Sequence, residues 1–174
     1  MGMSKRTILL TLRVLLTALC ALAVGFIIYN ALQPAVKSAG QSSTTVSTLQ
    51  KVLAYFAPNS PLATATGEAY DKLHAFVRGA AHFAEYALLG GLAAWCCFSY
   101  TRVRKWMGVP VLGVTVLAAI DEILQKFVAG RGAQFSDVLI DVAGGYFGIG
   151  FAILTVWLGW KIVKRHQKNR EEQL

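Results

Sequence analysis

Charge is what this chain has least of. Only 15% of its 174 residues are Asp, Glu, Lys or Arg, whereas 55% are hydrophobic and the mean hydropathy is +0.50. An ordinary soluble domain, with about a quarter of its residues charged, is excluded, and the length suits one domain. Acids are scarcer than bases, 9 against 17, and the bases cluster beside the apolar runs. That pattern suits anionic membrane headgroups better than nucleic acid. Cysteine is limited to Cys20, Cys96 and Cys97, each inside an apolar run. Their spacing rules out a disulfide framework, so they are expected to pack as small hydrophobes; lipidation of the Cys96-Cys97 pair is the rival reading. Also missing are G-x-S-x-G, H-E-x-x-H and a P-loop, as well as the signatures of phosphatidic-acid-type phosphatases and CDP-alcohol transferases. The sequence leaves the cofactor and any metal open: the acids could hold a divalent cation through oxygen ligands, but their spacing matches no metal motif.

What the chain does have is long apolar segments. Lys5 and Arg6 precede a run from Ile8 to Leu32, long enough for a bilayer of roughly 30 Å. The run continues well past an Ala21-Leu-Ala23 triplet, so it reads as a retained anchor rather than a cleaved signal peptide. Arg13 lies close enough to its end to snorkel. Further spans are expected over about 79–100, 106–127 and 138–160, with a short basic turn at 101–105 and a basic tail, 161–174, whose last ten residues look frayed. Trp95, Trp106, Trp157 and Trp160 fall near span ends as interface anchors. The fold class is therefore an all-α membrane protein, a four-helix transmembrane bundle forming a single domain.

Between the first two spans, 34–78 reads as a loop with a Ser/Thr-rich patch at 41–47 and a Pro58-Asn-Ser-Pro61 turn. Leu49, Val52, Leu53 and Phe56 repeat at helical spacing, describing a short amphipathic helix. It lies on the membrane surface, caps the bundle, or simply faces solvent. The N-terminus, the 101–105 turn and the tail carry 10 Lys/Arg; the other side has Lys37, Lys51, Lys72, Arg78, Lys126 and Arg131. Short basic segments favour the cytoplasm, so both termini are expected inside and the loops 34–78 and 128–137 outside.

This topology brings distant polar residues to one depth. The second span begins near Arg78, the third ends near Gln125 and the fourth begins near Asp137. Positions three, four or seven apart share a helix face, which aligns Arg78, His82 and Glu85, then Asp121 and Gln125, then Asp137, Asp141, Gly144 and Gly148. The Gly144-x-x-x-Gly148 pair permits close backbone contact below the polar groups. Intramembrane charge is costly, about 2.5–3.5 kcal/mol at a helix centre, so a pocket is the favoured reading over polar glue for the bundle. Five acids against two arginines and a histidine also call for a raised carboxyl pKa or a bound cation. His74, on the approach, reads as interfacial and His166 as solvated.

Arg78-x-x-x-His82-Phe83-x-x-Tyr86-x-x-Leu89-Gly90, Asp121-Glu122-x-x-Gln125-x-Phe127-x-x-Gly130-Arg131 and Asp137-x-x-x-Asp141-x-x-Gly144-x-x-x-Gly148 together resemble the VanZ-like family of small bacterial membrane proteins. The resemblance covers about Arg78 to Gly148. The family often has lysine where Arg78 stands and commonly asparagine where Asp141 stands, so the extra acid alters the charge balance here. The resemblance implies a bacterial cell-envelope role in the cytoplasmic membrane, linked to resistance to teicoplanin-type lipoglycopeptides, and it names no reaction.

Three functions follow from these readings. The first is a site that binds or modifies a lipid headgroup or lipid-tailed envelope compound, with Arg78, Tyr86, Gln125, Arg131 and Asp141 as ligand-binding residues and the arginines gripping phosphate or carboxylate. The second is a hydrolase or transferase acting on a lipid-linked substrate, with His82 as acid or base and Glu85, Asp121, Glu122 and Asp137 as acid/base groups or cation ligands. The third is a non-catalytic scaffold or small proton-coupled transporter.

Overall fold

The computed structural model describes residues 4–101, 104–132 and 134–171, and among them every regular element is helical. The order is α1 (Lys5–Ala31), α2 (Ala35–Phe56), α3 (Gly67–Tyr100), a single 3-10 turn (Arg104–Met107), α4 (Gly108–Gln125) and α5 (Phe135–Glu171). Helices α1, α4 and α5 are long and apolar enough to cross a membrane. The expected second span, 79–100, lies within the 34-residue α3, which is not one of these three; Glu68, Asp71, Lys72 and Arg78 precede the expected span on that helix, and His82 and Glu85 fall inside it. Part of the expected basic turn, residues 102 and 103, lies outside the described residues, as does the end of the tail, 172–174.

Glycine decides how α3 and α5 meet, in the most extensive helix–helix contact of the fold. A Cβ at Gly144 would land on the Phe83 carbonyl, one at Gly148 on the Ala87 carbonyl, and one at Gly90 on the Gly145 carbonyl. Only hydrogens fit between the two backbones, which is the close approach expected of small residues one helical turn apart. Around this seam Tyr86, Leu89, Ala94, Val114, Ala118, Ile149 and Ala152 form the core, joined by Ile27 of α1. The outward faces remain apolar, with Leu22, Val116, Phe147 and Phe151 all exposed, as suits a lipid-facing surface.

Two expectations need correction. The segment 34–78 is no loop with a short helix at 49–56: α2 begins at Ala35 and runs unbroken through the Ser/Thr patch. The hydroxyls of Ser43, Thr44, Thr45 and Thr48 each bond the carbonyl four residues back. Bonding of this kind satisfies a side chain without leaving the helix, so the patch does not break it. The proposed apolar stripe does not define the packed side, because Val52 and Phe56 are exposed while Val46 is the one residue of α2 that is buried. Nor is the tail frayed as far as it is described, since α5 stays helical to Glu171. Lys161 and Lys164 sit over the rings of Trp157 and Trp160, at 3.7 and 5.2 Å from the ring centroids.

Arg13 does more than snorkel. Its Nε donates to the Ser99 carbonyl at 2.8 Å, satisfying one of the acceptors left over at the C-terminal end of α3, and its guanidinium covers Tyr100. Trp95 is likewise more than an anchor, since its indole donates to Thr155 Oγ1 across the α3–α5 seam.

The α4–α5 connection turns on Gly130, whose φ of 76° lies in the left-handed region that costs other residues about 1–2 kcal/mol. Gly130→Ala is therefore expected to destabilise the protein by about that amount, read as a lowered thermal midpoint in detergent. Gly113→Ala, where nothing lies within 4 Å of the added methyl, serves as the control.

Candidate functional site

The C-terminal ends of α1 and α4, the N-terminal half of α3 and the start of α5 meet at one end of the bundle, and the polar residues gather there. Asp137 sits in the first turn of α5, where a carboxylate is stabilised by the helix dipole. It accepts from Arg78 Nη2 at 3.2 Å. One turn deeper, Asp141, 1% exposed, has Oδ1 3.1 Å from His82 Nδ1. The acids of α4 are placed differently. Asp121 and Glu122 lie at the C-terminal end of that helix, against its dipole. Helix stability therefore does not explain them.

Asp121 completes a triad, because one donor atom each from His82, Asp121 and Asp141 lie within 4.8 Å of one another. Glu122 is not part of it and accepts the backbone N–H of Gln134 in the α4–α5 connection. Arg131, from that connection, donates to the Ala31 carbonyl at 3.3 Å. Burial, and next the neighbouring Arg78, hold the Arg131 guanidinium below its ordinary value, while Asp121, Glu122 and Asp137 pull the other way. Two guanidiniums are thus close enough to repel.

Arg78, His82, Glu85, Asp121 and Arg131 line one cavity of about 420 Å³. Of the ten residues singled out from sequence, these five face the open space. Asp137 and Asp141 sit behind it as the partners of Arg78 and His82, and Glu122 is spent on the connection. Tyr86 and Gln125 are 0% and 1% exposed. Among the described residues, Arg78 Nε, Tyr86 Oη, Asp121 Oδ1, Glu122 Oε2 and both Gln125 amide atoms are buried without a hydrogen-bond partner. Such atoms are rare in settled interiors because each forfeits about 1–3 kcal/mol of solvation.

Two contributors were not anticipated. Asn30 of α1 donates to Glu85 Oε1 at 3.1 Å, and Ser38, Gln41, Ser42 and Thr45 of α2 form a wall of the cavity. Both had a signal in the sequence. Asn30 is an amide at the end of an otherwise apolar run, and the four α2 residues are spaced i, i+3, i+4, i+7, a polar stripe on one helix face. His74, expected at an interface, faces the Ala39 carbonyl of α2 at 3.2 Å and helps hold that wall against α3.

A second, apolar cavity of about 700 Å³ runs along the same α1–α3–α4 seam, lined by Val24, Leu89, Val116, Leu117 and Ile120 among others. On α1 the lining passes from Ile27 to Val24, on α3 from Glu85 to Leu89, and on α4 from Asp121 to Ile120. About one helical turn or less separates the two linings on α1, α3 and α4.

No curated protein and no solved structure matches the chain. A family model described as VanZ/LLP1 matches residues 16–158, a range that takes in Asn30, the α2 wall and all ten candidate residues. The chain therefore belongs to the VanZ/LLP1 family.

Proposed function

We propose that this protein is a four-span membrane protein of the bacterial cell envelope, with both termini cytoplasmic, whose polar cavity binds or modifies the headgroup of a lipid or lipid-tailed envelope compound. The observation that carries the reading is the succession of cavities: charged groups gather in the first space beside apolar residues such as Ile27 and Phe76, and about a turn away on α1, α3 and α4 the lining is almost wholly apolar. A headgroup with its acyl chain has that polarity profile. Arg78 and Arg131 supply fork-shaped donors for phosphate or carboxylate, and the α2 hydroxyls and Gln41 suit a polar headgroup. The family resemblance extends the candidate ligands to teicoplanin-type lipoglycopeptides.

The test is native mass spectrometry of the detergent-solubilised protein with phosphatidylglycerol and, as the uncharged control, diacylglycerol. Phosphatidylglycerol is expected to be retained selectively, and Arg131→Ala to weaken it at least tenfold, the scale of one lost charge-assisted contact. Equal retention of both lipids, or an unaffected Arg131→Ala protein, would overturn the reading.

The triad favours a second reading, a hydrolase or transferase. A histidine held by one carboxylate and facing another is equipped to move a proton at a headgroup in the cavity. Lipid extracts from cells carrying wild-type or His82→Ala protein are then expected to differ in a product. Identical extracts would leave binding alone.

A further inference from the structure

We infer that His82, Asp121 and Asp141 form the binding site of one divalent transition-metal cation at the floor of the polar cavity. The three residues come from α3, α4 and α5, and their donor atoms lie within 4.8 Å of one another. The His82 Nδ1 to Asp141 Oδ1 separation of 3.1 Å is the spacing of two neighbouring ligands on one ion, since metal–ligand bonds of about 2.0–2.2 Å span roughly 3 Å at ordinary coordination angles.

A second, independent observation comes from the buried groups alongside. Tyr86 and Gln125, 0% and 1% exposed, both lie against Asp121, yet neither the Tyr86 hydroxyl nor the Gln125 amide oxygen reaches hydrogen-bond geometry with a partner among the described residues. The same holds for Asp121 Oδ1. Oxygen donors buried on one side of an ion position are what a cation would satisfy, as a direct ligand or through the outer shell. Charge agrees. Glu85, Asp121, Glu122, Asp137 and Asp141 outnumber Arg78, Arg131 and His82, and the C-terminal end of α4, which carries Asp121, adds partial negative charge.

An imidazole with two carboxylates selects the Mn²⁺ and Zn²⁺ class over Mg²⁺ or Ca²⁺, which prefer all-oxygen sets. Such an ion would give a phosphate in the cavity a third positive contact besides Arg78 and Arg131. That role rests on the headgroup reading; the presence of the ion is measured separately.

The experiment strips the purified full-length protein with EDTA and titrates it with Mn²⁺, following free ion by electron paramagnetic resonance, with Zn²⁺ as competitor. Saturable binding of one Mn²⁺ per chain is expected, displaced by Zn²⁺ and weakened at least tenfold in Asp121→Asn and in Asp141→Asn. Thermal melting keeps folding in view, because added Mn²⁺ should raise the midpoint of the wild type and leave that of Asp121→Asn/Asp141→Asn unmoved. Absence of saturable binding in the wild type, or equal affinity in the variants, overturns the inference. Mn²⁺ binding with no selective phosphatidylglycerol retention would sink the headgroup reading alone. Selective retention without metal binding would sink this one alone.

Discussion

Gly144→Val should cost about 3 kcal/mol or more, at or above the upper end of what overpacking a membrane or soluble core usually costs, and it should disable the cavity as well. The first added atom lands on the Phe83 carbonyl. That oxygen belongs to the α3 backbone, so no rotamer change relieves the collision and the helices must separate. Phe83 adjoins His82, and Gly144 lies one turn from Asp141, so the movement falls on the 3.1 Å His82–Asp141 contact. Gly150→Val is the control on the same helix, since nothing lies within 4 Å of its added Cβ. Its midpoint in detergent should stay near the wild-type value, with valine a slightly better helix former than glycine. Equal melting of the two variants would mean that the α3–α5 seam is looser than its glycines indicate.

His82→Ala should be the second large effect. It leaves Asp141, 1% exposed, without its imidazole partner, and an unpaired buried charge typically costs about 3–5 kcal/mol. Because the His82 side chain is 17% exposed, water enters more readily and the lower end, about 3 kcal/mol, is expected. The double variant His82→Ala/Asp141→Asn removes the stranded charge along with its partner and should recover at least about 1 kcal/mol. Melting in EDTA keeps any bound cation out of the comparison. A double variant less stable than His82→Ala would show that Asp141 is held by something other than His82.

Much of this site was legible before any coordinates, for a simple reason. Helical periodicity fixes which residues share a face, so the alignments of Arg78 with His82 and Glu85, and of Asp137 with Asp141, Gly144 and Gly148, are properties of the chain itself. Alternating helix directions then bring one end each of α1, α3, α4 and α5 to one level. The failures have an equally physical origin. The Ser/Thr-rich patch at 41–47 suggested a loop because hydroxyls compete for backbone groups, yet Ser43, Thr44 and Thr45 bond backward within α2. Asn30 went unnoticed because its signal, one amide at the end of an apolar run, has no periodic partner to reinforce it.

Local covalent order thus determined the apolar segments, the faces on which charge collects and the small residues that let α5 approach α3. Tertiary structure decided the pairing: Arg78 with Asp137 rather than with Glu85, His82 between Asp121 and Asp141, Glu122 on the turn backbone, and α2 as a wall. Those choices depend on how far each helix is rotated and displaced relative to its neighbours. A one-dimensional repeat fixes angles about its own axis and says nothing of the distance to the next one.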